Sequence, residues 1–328
     1  MGYGSGLSAQ IGFGAETAYG TRHAPTLFLE FLSESFKANY SRIESKALRS
    51  GTRVERSDRW NSGPQDVNGT VQFELQSKGL GLLFKHGLGA IATSQPSAGP
   101  DPTVYEHKAT LGDPIGLGLT TQVGRPSNDG TVNPFDYKGG KITGLKLAAA
   151  VNSIPTLDLN MYAQSEDTAQ VLGTASYPAS ASVLWWNGAT VTIAGASYAC
   201  QSAEVNIAHA FKTDRYNLGA LTRSEPIANG LSTIGVTLSS EYLSNVAYAR
   251  IASGTTAAVV ISFAGATISH AYTYAVEVTM PCVRFDSDTP TVNGEDVLDQ
   301  PITGVALDDG TTDSPIKIVY RTTDVTPA

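Results

Sequence analysis

Leu27 to Gly89 reads LFLEFLSESFKANYSRIESKALRSGTRVERSDRWNSGPQDVNGTVQFELQSKGLGLLFKHGLG. Its clearest signal is the alternation from Gly69 to Ser77. Val71, Phe73 and Leu75 fall on one face, and Thr70, Gln72, Glu74 and Gln76 on the other. A period of two means a strand with one buried and one wet face. Ahead of it, residues 27–49 alternate loosely and end in Lys46 and Arg49. Arg53, Arg56 and Arg59 follow, with Glu55 and Asp58 interleaved and Trp60 closing the run. That composition fits either a solvated loop of mixed charge or a hairpin tip that docks on an acidic partner, and arginine beside tryptophan is the composition of interfaces. Behind the strand, Lys78 to Ile91 sets Leu80, Leu83, Phe84 and Leu88 at helical spacing. This predicts a short helix weakened by its glycines. The plan is strand, basic loop, strand, short helix.

The whole chain has the composition of a turn-rich β protein. Of 328 residues, 41% are hydrophobic and only 16% charged, below the usual quarter, while glycine reaches 33. A surface so short of charge fits burial against partners or a Ser/Thr-rich solvated surface. The net charge of −8 and the pI near 5.1 speak against a protein that grips nucleic acid, because phosphate binding needs a basic surface. They are compatible with one that lets nucleic acid slide past. Cys200 and Cys282 make neither a disulfide framework nor a zinc site and read as buried thiols. No signal peptide and no run of about 18 apolar residues is visible, so no membrane contact and a cytoplasm-like compartment are expected.

Further along, residues 1–26 read as an extended arm. Strands are expected at 104–110, 116–123, 142–151 and 155–163, with loops at 92–103 and 124–140 and a linker at 166–182. The second half reads as strands at 183–186, 189–193 and 198–211, with Asn187-Gly188 as a hairpin signal. A strand at 232–239, a helix at 241–252, strands at 257–263 and 272–285, and a final hairpin at 301–323 complete it. GTVQFEL at 69–75 matches STIGVTL at 232–238, each followed by a short helix. Arg56-Ser57-Asp58 matches Arg223-Ser224-Glu225, and ITGLKL at 142–147 matches ITGVAL at 302–307. This ordered series predicts a repeat. The expected fold is therefore mainly β: two tandem β-sandwich or half-barrel modules, each with one short flanking helix. Module 1 spans 27–165, the linker 166–182 and module 2 183–328.

Catalysis leaves no trace. The five histidines are scattered without HxH or HExxH spacing, no GxSxG elbow is present, and Asp308-Asp309 does not continue into a calcium loop. No catalytic, cofactor or metal residue is assigned, and the chain is read as a building block and not an enzyme. The alternative is a carbohydrate-binding or adhesive β-sandwich, which should carry a secretion signal and clustered exposed aromatics.

The runs PTLFLEFLSESFKANYSRIESKALRSGTRVERSDRW and VNGTVQFELQSKGLGLLFKHGLG resemble the major tail tube proteins of long-tailed phages. The resemblance is strongest over about residues 10–95 and extends loosely to the C-terminus. It implies subunits that stack as rings into a hollow tube, with a continuous β-barrel lining the lumen, helices outside, and hairpins and arms bridging rings. The duplication resembles the tubes built from trimers with pseudo-sixfold symmetry. The resemblance also implies a virion location after assembly in the host cytoplasm, and passage of viral DNA without sequence specificity. Tape measure protein in the lumen, and tail terminator and tail-tip proteins at the ends, are the implied partners. Thr70, Gln72, Glu74 and Gln76, with Thr233, Gly235, Thr237 and Ser239, become the candidates for the lumen wall. Arg49, Arg53, Arg56, Arg59 and Trp60 become candidates for ring-to-ring contact, pairing with acidic loops such as Asp308 and Asp309 of a neighbour.

Overall fold

The computed structural model describes residues 4–242, 244–286, 289–292, 294–311 and 314–327. Period-two patterning turns most of this chain into strands. The first half contains β1 (Gln10–Glu16), β2 (Leu27–Leu29), β3 (Ser33–Glu34), β4 (Lys37–Glu44) and β5 (Trp60–Glu74), then helix α1 (Gly81–Leu88). β6 (Gly89–Ser94), β7 (Tyr105–Leu111), β8 (Gly118–Pro126), β9 (Val132–Ala150), β10 (Thr156–Ala163) and β11 (Ser165–Asp167) follow. The second half contains β12 (Ala189–Ile193), β13 (Ala196–Ser197), β14 (Ser202–Ala208), β15 (Phe211–Lys212), β16 (Ile227–Ala228) and β17 (Thr233–Ser239). Helix α2 (Asn245–Ser253), β18 (Ala257–Ser269), β19 (Tyr272–Phe285), β20 (Ile302–Ala306) and β21 (Lys317–Thr322) complete it. Leu243, inside the expected helix, lies outside the described residues.

One antiparallel sheet runs through both halves in the order β4, β5, β10, β9, β14, β17, β20, β19. The same order of pairing occurs twice along it, as β4-β5-β10-β9 and as β14-β17-β20-β19, with a helix after the second strand of each set. The two sets join through β9 and β14, which pair over seven residues from Gly144↔Ala208 to Ala150↔Ser202. β9 and β19 are long enough to leave this sheet and enter a second layer. There, the first part of β9 pairs with β8 and β11, and β8 with β1. The first part of β19 pairs with β18 and β21, and β21 pairs with β7 of the first half. The buried apolar residues form one cluster that spans both halves, from Ile11 to Tyr320. This is a sandwich, with the long strands turning its corners.

Helix α1 lies inside that sandwich. Phe84 meets Tyr320 of β21 edge-on at 5.6 Å, and nearly every residue of the helix is buried. Helix α2, its counterpart in the chain order, is mostly exposed.

Several expectations are corrected. Residues 10–16, inside the expected extended arm, are strand β1, which lies between β2 and β8 with Ile11 and Phe13 fully buried. Residues 132–140 form strand where Pro134 and Gly139-Gly140 suggested loop. Burial of Tyr137 and of Asp136, which pairs with Arg22 at 2.6 Å, overrides local propensity. The 301–323 segment is no hairpin. β20 and β21 pair end to end along β19 and not with each other. ITGLKL lies in β9 and ITGVAL in β20, which occupy different places in the two sets, so that match does not mark equivalent strands. The turn predicted at Asn187-Gly188 falls instead at Ala194-Gly195, where both residues have positive φ and join β12 to β13. Gly188 is required for a different reason: a Cβ there would sit 2.0 Å from the Ala264 carbonyl oxygen.

Candidate assembly surfaces

The continuous sheet has one apolar face against the core and one polar face. Its register aligns the polar residues into rows across six strands. Glu74, Thr156, Ala148, Glu204, Thr237 and Thr303 form one row, read strand by strand. The next is Gln72, Asp158, Lys146, Asn206, Gly235 and Val305. Intervening residues such as Val71, Leu159, Leu145, Ile207 and Ile234 point to the core. Lys146 is neutralised by Glu204 across the β9–β14 junction at 2.9 Å, which leaves Glu74 and Asp158 as the remaining charges in these two rows. Such a face is polar and mildly acidic.

The sequence-based candidates divide accordingly. Thr70, Gln72 and Glu74 stand on this face, as do Thr233, Gly235, Thr237 and Ser239. Gln76 does not. Its side chain is 4% exposed and donates to the Glu30 carbonyl at 2.8 Å, because the chain leaves β5 after Glu74 and turns toward α1. Sequence reasoning missed the stripes from β10, β9 and β14, although TLDLNMYA and SAEVNIA alternate as clearly as GTVQFEL. Nothing local told which alternating strands would be neighbours.

The basic loop is the tip of a long arm. β4 and β5 pair from Lys37↔Asn68 out to Glu44↔Trp60, and residues 39–62 are exposed apart from half-buried Arg56. Arg42 stacks over the Trp60 ring at 5.3 Å and stiffens the shaft. At the tip, Lys46 bonds Glu55, and Arg56 forks onto Asp58 at 2.6 and 2.8 Å, holding that carboxyl below its usual range. Arg49 and Arg53 form no ion pair among the described residues, and Leu48 and Val54 project beside them. Asp308 and Asp309 follow β20 at the end of the sheet from which this arm projects.

The second half has a counterpart of this arm, residues 209–231, between β14 and β17. It folds back over the first half and is anchored by the second copy of the tripeptide. Arg223 is 1% exposed, bonds Asp66 and the Thr213 carbonyl, and lies over the rings of Tyr162 and Tyr216. Glu225 takes Lys141 at 2.6 Å and the Gly116 amide at 2.7 Å. Burial lowers the Lys141 ammonium pKa, and the Glu225 partner opposes that shift. Arg56-Ser57-Asp58 thus pairs only within the arm's own tip, whereas Arg223-Ser224-Glu225 is seated on distant parts of the chain.

Among the described residues, no three His, Cys, Asp or Glu side chains gather as metal ligands, and no helix is long and apolar enough to cross a membrane. Cys200 and Cys282 are half-buried free thiols. A search of curated proteins returns no match. The family model described as phage tail tube protein matches residues 6–306, through both halves, the arm and the continuous sheet. A match over nearly the full length, on a β-sandwich of this kind, means that the chain belongs to the phage tail tube protein family.

Proposed function

We propose that three copies of this chain close into a ring of pseudo-sixfold symmetry, and that rings stack into a tube that conducts DNA during ejection. The family makes the chain a structural subunit that self-assembles in the virion tail. The trimer and the lumen are our reading. The observation that supports it is the β9–β14 ladder, which already joins two four-strand sets edge to edge inside one chain. Its outer edges are β4 at one side and, at the other, Arg284 and Phe285 at the end of β19, beyond the β18 pairing that reaches Val283. Repeating the junction between copies would give 24 strands from three chains. At about 4.8 Å per strand and a tilt of about 40°, such a barrel is about 48 Å across.

The polar rows then face the lumen. Small neutral side chains with a slight excess of carboxylate repel phosphate weakly, and the one basic group in these rows, Lys146, is already held by Glu204. The two halves act as tandem modules, 27–165 and 183–328, descended from one duplicated unit. The arm carrying Arg49, Arg53, Arg56, Arg59 and Trp60 bridges successive rings; Asp308 and Asp309, the acidic ring-to-ring candidates, lie at the arm's own end of the sheet. Tape measure protein fills the lumen during assembly, and terminator and tip proteins cap the ends. Assembly takes place in the host cytoplasm, and no enzymatic role is assigned.

The test is electron microscopy of the purified chain with rotational averaging of end views. Threefold rings stacked into tubes are expected. Rings containing six chains, or dispersed monomers, would overturn the trimer. Replacing Arg53, Arg56 and Arg59 with Glu should leave the melting profile intact and stop tube growth at short stacks.

A further inference from the structure

The arm and the described part of the loop between β19 and β20 (286, 289–292 and 294–301) lie at opposite ends of the same sheet. β5 runs from Trp60, at the arm, to Glu74, and Glu74 is level with Thr303 through the row it shares with Thr156, Ala148, Glu204 and Thr237. Trp60 and Glu74 are therefore about 45 Å apart along the strand, so the arm cannot reach this loop in its own chain. The charges of the two are opposite. Residues 42–59 carry six basic and three acidic side chains, whereas residues 286–300 carry five acidic side chains and no Lys or Arg.

The loop encloses a hollow of about 510 Å³ lined by Asp286, Asp296, Asp299, Gln300 and Thr303 among others. Asp286 is taken by Arg284 at 2.8 Å, but Asp296 and Asp299 form no ion pair among the described residues. Gln300 lines the hollow, as well as a second one beside α2, and is 1% exposed, and among the described residues neither its amide nitrogen nor its amide oxygen has a hydrogen-bond partner. A buried amide left unsatisfied on both sides costs free energy until a partner arrives. A guanidinium offers five donors, enough for the Gln300 oxygen and two carboxylates together. The counterpart loop at 209–231 shows how this chain seats such an element, with one buried arginine on a carboxylate and a backbone carbonyl.

We propose that this acidic hollow is the receptor for the arm of a second copy, entered by Arg53 or Arg49, the two tip arginines without an ion pair. The inference rests on the tube reading and names the contact within it. Because the two surfaces are on opposite ends, the contact is heterologous and head-to-tail, so each docking presents a new arm and a new hollow. Both groups are desolvated together, so growth of the stack weakens as salt screens the approach.

The experiment is a charge exchange in the full chain, read by tube length in negative stain and by sedimentation. R49E/R53E and D296R/D299R should each cut mean tube length at least tenfold while single rings persist, and combining them in one chain should restore at least half the length. Q300L should also shorten tubes. Wild-type tubes with neither reversal affecting their length would overturn the docking and leave the tube reading standing. Shortening by both without restoration would overturn the pairing of arm with hollow. Should D296R/D299R fail to fold, D296N/D299N replaces it, and it should by itself cut tube length while leaving R49E/R53E unrestored; unchanged length would overturn the docking. If the wild type forms neither rings nor tubes, the tube reading falls. The contact is then tested by mixing R53C and D296C chains, with Cys200 and Cys282 replaced by Ser, under oxidation. A disulfide-linked dimer supports it and its absence overturns it.

Discussion

Arg223 and His86 show how much a buried polar side chain depends on what surrounds it. Arg223 is held by Asp66, a carbonyl and two tyrosine rings, so removing it strips the strap of its anchor and leaves Asp66 without its partner. Asp66 is still partly solvated, which limits the loss. Arg223→Ala should therefore destabilise by about 2–3 kcal/mol, read as a lower urea midpoint at unchanged slope. His86 is buried in α1 and its Nε2 has no hydrogen-bond partner among the described residues. Burial pushes its pKa down to about 3, and burial likewise lowers His107 and His209. At neutral pH all three are neutral in the folded chain, and each takes up its proton at a lower pH folded than unfolded, where the ordinary histidine value is about 6.5. The unfolded state then binds more protons, so stability is complete above about pH 6.5 and falls as pH drops toward 3. His86→Leu should remove up to one proton, or about 1.4 kcal/mol per pH unit, from that slope, as measured by denaturant titration between pH 4 and 6.

At the scale of elements, the two helices and the two long loops make the same contrast. α1 is enclosed between the continuous sheet and β21, while α2 is left mostly exposed at the end of the sheet. The loop between β14 and β17 is seated, while the arm between β4 and β5 is free. In each pair, one member is covered by other parts of the chain and the other is not. The turn into β12 is fixed by a close approach and not by its dihedral angles. Gly188→Ala forces a Cβ against the Ala264 carbonyl and should cost about 1–3 kcal/mol, seen as a lowered melting temperature. A positive-φ explanation would predict a milder effect there than at Gly195, where nothing approaches within 4 Å.

At the scale of the whole molecule, the halves are interlocked. β9 of the first half pairs with β14 of the second, and β21 of the second pairs with β7 of the first. His107 reaches the Asp324 carbonyl at 2.9 Å, and Asp324 accepts from the Gly79 amide at 2.8 Å. Residues 166–182, rich in small side chains, are tied to the first half, with Gly173 bonded to Gln122 and Gln10. Fragments 1–165 and 183–328 expressed separately should each lack a cooperative thermal transition, and mixing them should restore one. Two independent transitions would mean that the modules fold alone.

Local patterning was enough to settle the β class, the strand at Gly69–Leu75, the position of α1 and the basic loop, because period two and period 3.6 are written in neighbouring residues. The family was legible by a different route, the resemblance of the runs within 25–89 to tail tube proteins, and the family match over residues 6–306 shows it. Which strands meet was beyond local patterning. The alternation in β10, β9 and β14 says that each has a wet face, but only long-range pairing makes those faces one continuous surface. The same holds for Gln76, which alternates correctly and is buried because the chain turns away after Glu74. It holds most clearly for Arg56 and Arg223, which sit in nearly identical tripeptides. One is half-exposed at the tip of a free arm and the other fully buried, and the difference is the presence of a neighbouring surface, which no local pattern encodes.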